Sequence, residues 1–129
     1  RVCCVYPTAV LLTLGDLKKS FMKFKSNKYD YLFSATKYSH PIQRSFYIDK
    51  DKIIMYNKKN FSKRTQDLKD HYYDIGHFYW AKPCTWLSNK IVFDKNSTIQ
   101  IIPKHRAQDI DDLQDWKFVE KLFLLNKDK

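Results

Sequence analysis

The chain has 129 residues, 43% of them hydrophobic, and a formal net charge of +10. That length holds one domain or part of one, with enough apolar residues for a real core. No apolar run approaches the roughly 18 residues of a membrane-spanning helix, and the three cysteines, Cys3, Cys4 and Cys84, form neither a disulfide framework nor a metal-ligand pattern.

Of the 24 basic residues, 20 are lysines scattered along the chain, and only Arg1, Arg44, Arg64 and Arg106 are arginines. With abundant Asn, Ile, Tyr and Phe, this looks like the codon bias of an AT-rich genome. Net charge speaks to association rather than to fold. Reduced thiols and no visible secretory leader fit a cytoplasmic protein. A chain that opens on Arg1 and runs straight into an apolar stretch reads as a fragment or an N-terminally truncated product.

In chain order, "VCCVYP" (2–7) is a continuous apolar run stopped by Pro7, the pattern of a strand buried on both faces. Thr13 with Asp16 three residues on is a capping box that starts a helix, with Leu14, Leu17, Phe21 and Phe24 as its apolar face. "YDYLFSAT" (29–36) reads as a second buried strand, and the strand–helix–strand order predicts a right-handed crossover between parallel strands. "RSFYID" and "KIIMYN" around "KDK" read as a hairpin. Residues 59–73 are polar and weakly periodic. "DIGHFYWA" (74–81) is a strand in which Gly76 marks a bulge or a close backbone approach.

"CTWLSN" after Pro83 is a short helix, and "TIQIIP" (98–103) an alternating strand. "DDLQDWKFVEKLFLL" is a final helix that buries Leu113, Trp116, Val119, Leu122 and Phe123. The sum is α/β, with a β-rich insertion between two halves of a mostly parallel sheet.

Four aspartates crowd "RAQDIDDLQDW" (106–116). Asp112 and Asp115 have the spacing of a helix cap and complement the helix dipole. If "RAQDID" is extended, Asp109 and Asp111 point to one side about 7 Å apart. Two such carboxylates can hold a hard cation, or they can be surface charge.

The segments "YPTA", "FSAT", "HPIQRSF", "FSKRTQDL", "YYDIGHFYW" and "IIPKHRAQDIDDLQDW", taken in this order, resemble the acylneuraminate cytidylyltransferase family, in its pseudaminic acid branch. The resemblance covers essentially all of residues 1–129. It implies a three-layer, Rossmann-like nucleotide-diphospho-sugar transferase sheet, N-terminally incomplete, with a small β-rich dimerisation arm at about 43–71. It implies transfer from CTP to an acidic nine-carbon sugar, giving a CMP-sugar and pyrophosphate with the help of Mg²⁺, in a cytoplasmic homodimer. By the same resemblance Asp109 and Asp111 are the metal pair. Pro7 and Thr8 follow the strand that lines the sugar site. Arg64, Gln66 and Asp67 are the polar signature of the arm. Tyr72, Gly76, His77, Phe78 and Tyr79 lie on the strand that closes the pocket.

The sequence departs from that pattern in several places. The Gly-rich basic loop that cradles CTP phosphates has no counterpart here, so this chain alone is expected to be inactive. Val10 stands where proline is expected, His77 where glutamine is, and Ala81 where glycine is. The rival readings are a non-catalytic remnant that still dimerises, and a basic nucleic-acid-binding domain. Scarce arginine and the lack of any module signature oppose the second, so no nucleic-acid partner is expected.

Overall fold

The computed structural model describes residues 1–26 and 28–127. They divide into two compact units, Arg1–Thr36 with Asp74–Lys129, and Lys37–Tyr73.

The first unit is built on a four-stranded sheet in the order β1-β5-β2-β6, with β1 at Val2–Val5, β2 at Tyr31–Lys37, β5 at Tyr72–Ala81 and β6 at Thr98–Ile101. β1 runs antiparallel to β5, with Val2 opposite Ala81, and β2 runs parallel to β6, with Leu32 opposite Thr98. The sheet is therefore mixed, not mostly parallel. β1 and β2 are not neighbours, because β5 lies between them. This also corrects the burial of β1. As an edge strand it has one neighbour among the described residues, and its Val2 and Val5 are exposed. β2 matches its sequence signature, since Tyr31, Leu32, Phe33, Ser34, Ala35 and Thr36 are all buried.

Helix α1 (Leu14–Phe24) starts at the expected box. Asp16 N donates to Thr13 Oγ1 at 3.2 Å, and Thr13 N donates to Asp16 Oδ2 at 3.1 Å. The face it buries is rotated from the one periodicity suggests. Leu14 is exposed, while Asp16, Ser20 and Phe24 are buried, one turn apart. Each has a reason to be inside. Phe24 and Phe21 pack on Trp80, with ring centroids 6.4 and 5.4 Å away. Trp80 Nε1 donates to Ser20 Oγ at 2.9 Å. Arg106 forks onto Asp16, with Nη2 donating to Oδ1 at 3.1 Å and Nη1 donating to Oδ2. Arg106 Nη1 also reaches the Leu11 carbonyl at 3.3 Å.

Helix α2 (Pro83–Trp86) is a single turn, and α3 (Leu113–Lys127) closes the unit. Val119 is the buried anchor of α3. Leu113, Trp116 and Phe123, expected inside, are 78%, 55% and 48% exposed. Periodicity names a face but supplies nothing to cover it. Trp116 and Phe123 instead line an apolar groove of about 280 Å³ together with Val10 and Ile110.

In the second unit a hairpin joins β3 (Phe46–Asp49) to β4 (Lys52–Met55), with Asp49 opposite Lys52. Its loop is two residues, Lys50 and Asp51, both left-handed at φ 46° and 62°. This is the twist that suits a two-residue hairpin. The polar stretch that follows forms two 3₁₀ turns, Lys58–Asn60 and Thr65–Asp67. Buried Asn60 donates from Nδ2 to the Gln43 carbonyl at 3.3 Å, and Gln43 Nε2 donates to the Lys69 carbonyl at 2.7 Å. Phe46, Ile48, Ile53 and Tyr56 are exposed.

Candidate active site

Gly76 organises the chemistry of the first unit. It sits in β5 with φ +64°, a conformation open to glycine and strained for other residues. Asp74 makes the turn: its Oδ1 accepts from Gly76 N at 2.9 Å, an Asx turn. The other oxygen of Asp74 accepts from Tyr79 Oη. Burial, followed by that bond to Asp74, pushes the Tyr79 phenol well above its usual range, so it stays a proton donor.

The next two amides turn to a single side-chain oxygen, the mark of a bulge. Ser34 Oγ, on β2, accepts from both His77 N at 3.0 Å and Phe78 N at 3.1 Å. On the other side, Tyr6 N donates to the His77 carbonyl at 3.0 Å, which brings the end of β1 and its turn to the same place. Pro7 and Thr8 form that turn, closed by Ala9 N on the Tyr6 carbonyl at 3.1 Å. The Tyr6 and Tyr79 rings lie 5.6 Å apart. With Cys4, Asp74, Trp86, Val92 and Phe93 they line an open, aromatic-walled pocket of about 250 Å³.

Asp109 meets this strand at the bulge. Its Oδ2 lies 3.3 Å from where a Cβ on Gly76 would stand, and its Oδ1 accepts from Ile110 N at 2.9 Å. The segment that carries it belongs to no strand. The sheet ends at Ile101, Pro103 starts a 3₁₀ turn at Lys104–Arg106, and residues 107–110 form neither strand nor helix. Strand alternation therefore does not by itself set the directions of Asp109 and Asp111. Asp111 is exposed, and its backbone N donates to Asp115 Oδ2 at 3.2 Å. Among the described residues no three His, Cys, Asp or Glu side chains gather as a metal site.

Asp112 Oδ1 accepts from Gln114 N at 2.7 Å and Asp115 N at 2.9 Å, the bonds of a helix cap. Asp115 Oδ1 also accepts from Gln108 Nε2 at 3.2 Å, which ties the loop to α3. His77 is wholly buried, with Nε2 3.3 Å from the Gln108 carbonyl oxygen. Burial holds the His77 ring below its usual basicity.

Arg64, Gln66 and Asp67 belong to the second unit. Arg64 Nε pairs with Asp67 Oδ2 at 3.1 Å, both side chains well exposed. Gln66 lines a cavity of about 420 Å³ with Lys37, His40 and His71. Tyr72, the first residue of β5, is exposed.

No family model matches the chain. Pseudaminic acid cytidylyltransferases from two strains of Campylobacter jejuni are each 37% identical to it over 127 residues, 98% of this chain and 55% of the relative. The chain is a homologue of pseudaminic acid cytidylyltransferases. It spans about half the length of those relatives. A Helicobacter pylori protein named pseudaminic acid cytidylyltransferase and UDP-2,4-diacetamido-2,4,6-trideoxy-beta-L-altropyranose hydrolase is 32% identical over 109 residues, 84% of this chain and 21% of that protein. No helix among the described residues of this cytidylyltransferase homologue is long and apolar enough to cross a membrane.

Sequence reasoning passed over Tyr6, Ser34, Asp74 and Gln108. Asp74 carried a readable signal, an aspartate two residues before a glycine. Ser34 carried none, because a serine in an apolar strand says nothing about which amides it will meet.

Proposed function

We propose that this chain supplies the metal and sugar-acid side of a cytidylyltransferase that joins CTP to an acidic nine-carbon sugar of the pseudaminic or sialic type. The products are a CMP-sugar and pyrophosphate, for bacterial surface glycans such as those on flagellin. The observation that carries this reading is homology over 98% of the chain to proteins named for that reaction.

The residues present fit Mg²⁺. The ion takes one or two carboxylates and fills its shell with water and phosphate oxygens, so no three-residue cage is needed. Asp109 and Asp111 offer hard oxygen ligands from an irregular loop, with Asp109 Oδ2 facing the Cβ-less side of Gly76. Bound there, Mg²⁺ would neutralise charge on the phosphoryl oxygens as the sugar's anomeric hydroxyl attacks the α-phosphorus. The chain's own groups would orient the partners. Asp74 fixes Tyr79 and the bulge, the Tyr6–Pro7–Thr8 turn sets one wall, and the aromatic pocket offers ring faces for the sugar to pack on.

In this reading the sheet belongs to a three-layer nucleotide-diphospho-sugar transferase fold, and residues 43–71, within the Lys37–Tyr73 unit, are a dimerisation arm. The apolar side chains exposed on β3 and β4 support the arm, because an isolated hairpin is marginal in water. A second reading is a dimerising remnant without activity, which the exposed apolar side chains of β3 and β4 would serve equally well.

A chimera in which this chain replaces the matching region of a Campylobacter jejuni relative separates the two. The enzyme reading expects Mg²⁺-dependent pyrophosphate release from CTP that requires pseudaminic acid. A folded, dimeric chimera that releases none would leave the remnant.

A further inference from the structure

His77 is a costly way to fill a core. It is 0% exposed, and its Nδ1 is buried without a hydrogen-bond partner. Phenylalanine or leucine would fill the space with no orphaned polar atom. What histidine adds is the bond from Nε2 to the Gln108 carbonyl, 3.3 Å away. A carbonyl oxygen only accepts, so Nε2 carries the proton. A second proton on Nδ1 would be buried without an acceptor, so the ring is neutral.

The bond spans two elements that share no strand pairing. His77 is fixed on β5 by Ser34 Oγ at its backbone N and by Tyr6 N at its carbonyl. Gln108 immediately precedes Asp109, and its side chain is tied separately to Asp115. The peptide that presents the Asp109 carboxylate thus hangs from His77 on one side and from α3 on the other.

We propose that His77 is a positioning residue: it holds the Gln108–Asp109 peptide so that the Asp109 carboxylate faces the Gly76 bulge, and it touches no substrate itself. The inference rests on the reading of Asp109 as a cation ligand. It departs from the resemblance, which places His77 among the substrate-binding residues.

The test uses the chain itself and needs no turnover. His77→Phe keeps the bulk and removes the donor, while His77→Gln keeps an N–H of similar reach. Amide hydrogen exchange is followed at Ile110 and Asp111, whose N–H groups bond to Asp109 and Asp115. In His77→Phe these amides should exchange about fivefold faster, the factor one ordinary hydrogen bond supplies. In His77→Gln they should exchange as in the parent. Binding of Mn²⁺, used as a paramagnetic probe, should weaken about fivefold in His77→Phe alone, following the same lost bond.

Unchanged exchange in a folded His77→Phe variant overturns the positioning role. Failure of the parent chain to bind Mn²⁺ overturns the cation assignment instead. Should His77→Phe not fold, the ¹⁵N spectrum of the parent decides: a proton on Nε2 supports the role, and a proton on Nδ1 overturns it.

Discussion

A Cβ on Gly76 would stand 3.3 Å from Asp109 Oδ2, and Gly76 is held at φ +64°. Two penalties meet at this one residue, a strained backbone and a displaced carboxylate. Gly76→Ala should cost about 1–2 kcal/mol of stability from the left-handed backbone alone. It should also weaken divalent-cation binding, because Asp109 has to give way. Thermal unfolding with and without Mn²⁺ measures both. A variant as stable as the parent would mean that β5 rearranges freely at the bulge.

The aspartate cluster should separate by role. In the chimera, Asp109→Asn and Asp111→Asn should each lower turnover by at least about tenfold with little change in melting temperature, since each removes a negative ligand without altering shape. Asp112→Asn should do little, because asparagine caps a helix as well as aspartate. Asp112→Ala should lose about 1 kcal/mol of stability with turnover kept. Loss of stability rather than turnover at Asp109 and Asp111 would make the whole cluster a structural device.

Arg106→Met should be the more damaging change to the fold. It leaves Asp16, whose side chain is 9% exposed, without its countercharge, and breaking such a pair costs about 3–5 kcal/mol. Burial raises the Asp16 carboxyl, but the hydrogen bonds from Arg106 and Thr13 outweigh it and hold the group below its ordinary 3.8. A carboxylate with a depressed folded value contributes fully above its unfolded value and loses that contribution as pH falls through the folded one. The stability gap between parent and Arg106→Met should therefore be widest above pH 3.8 and close below it. Urea unfolding across that range measures the gap.

Lys50 and Asp51 occupy left-handed positions that asparagine and glycine take more readily. Lys50→Asn with Asp51→Gly should stabilise the β3–β4 hairpin by about 1 kcal/mol, the usual scale of the relieved strain. Slower amide exchange at Tyr47 and Ile54, the hydrogen-bonded pair next to the turn pair Asp49–Lys52, would register it.

These cases also mark how far the sequence could be read. Local chemistry was legible: the Thr13–Asp16 box, the buried run of β2, the two flanks of the hairpin and the aspartate spacing at the start of α3. The long-range pairings were not. Arg106 and Asp16 lie 90 residues apart, and no spacing rule connects them. The insertion of β5 between β1 and β2 turned a parallel expectation into a mixed sheet, because strand order is decided by tertiary contacts. Strand alternation could not be applied to Asp109 and Asp111, because β6 ends at Ile101 and a 3₁₀ turn intervenes at Lys104–Arg106. The apolar stripe of α3 was real in composition, yet Leu113, Trp116 and Phe123 stay largely uncovered.

The hydroxyl of Ser34 takes two neighbouring amides at once, deep in the sheet. This gives an unassuming residue very few acceptable replacements. Alanine or valine would suit the surrounding apolar strand, yet either would strand both donors in a single step. Cysteine matches the size and accepts only weakly. Threonine keeps the oxygen and adds a methyl group where nothing is exposed. A library varied at position 34 should return serine almost alone, while β1's exposed Val2 and Val5 drift widely.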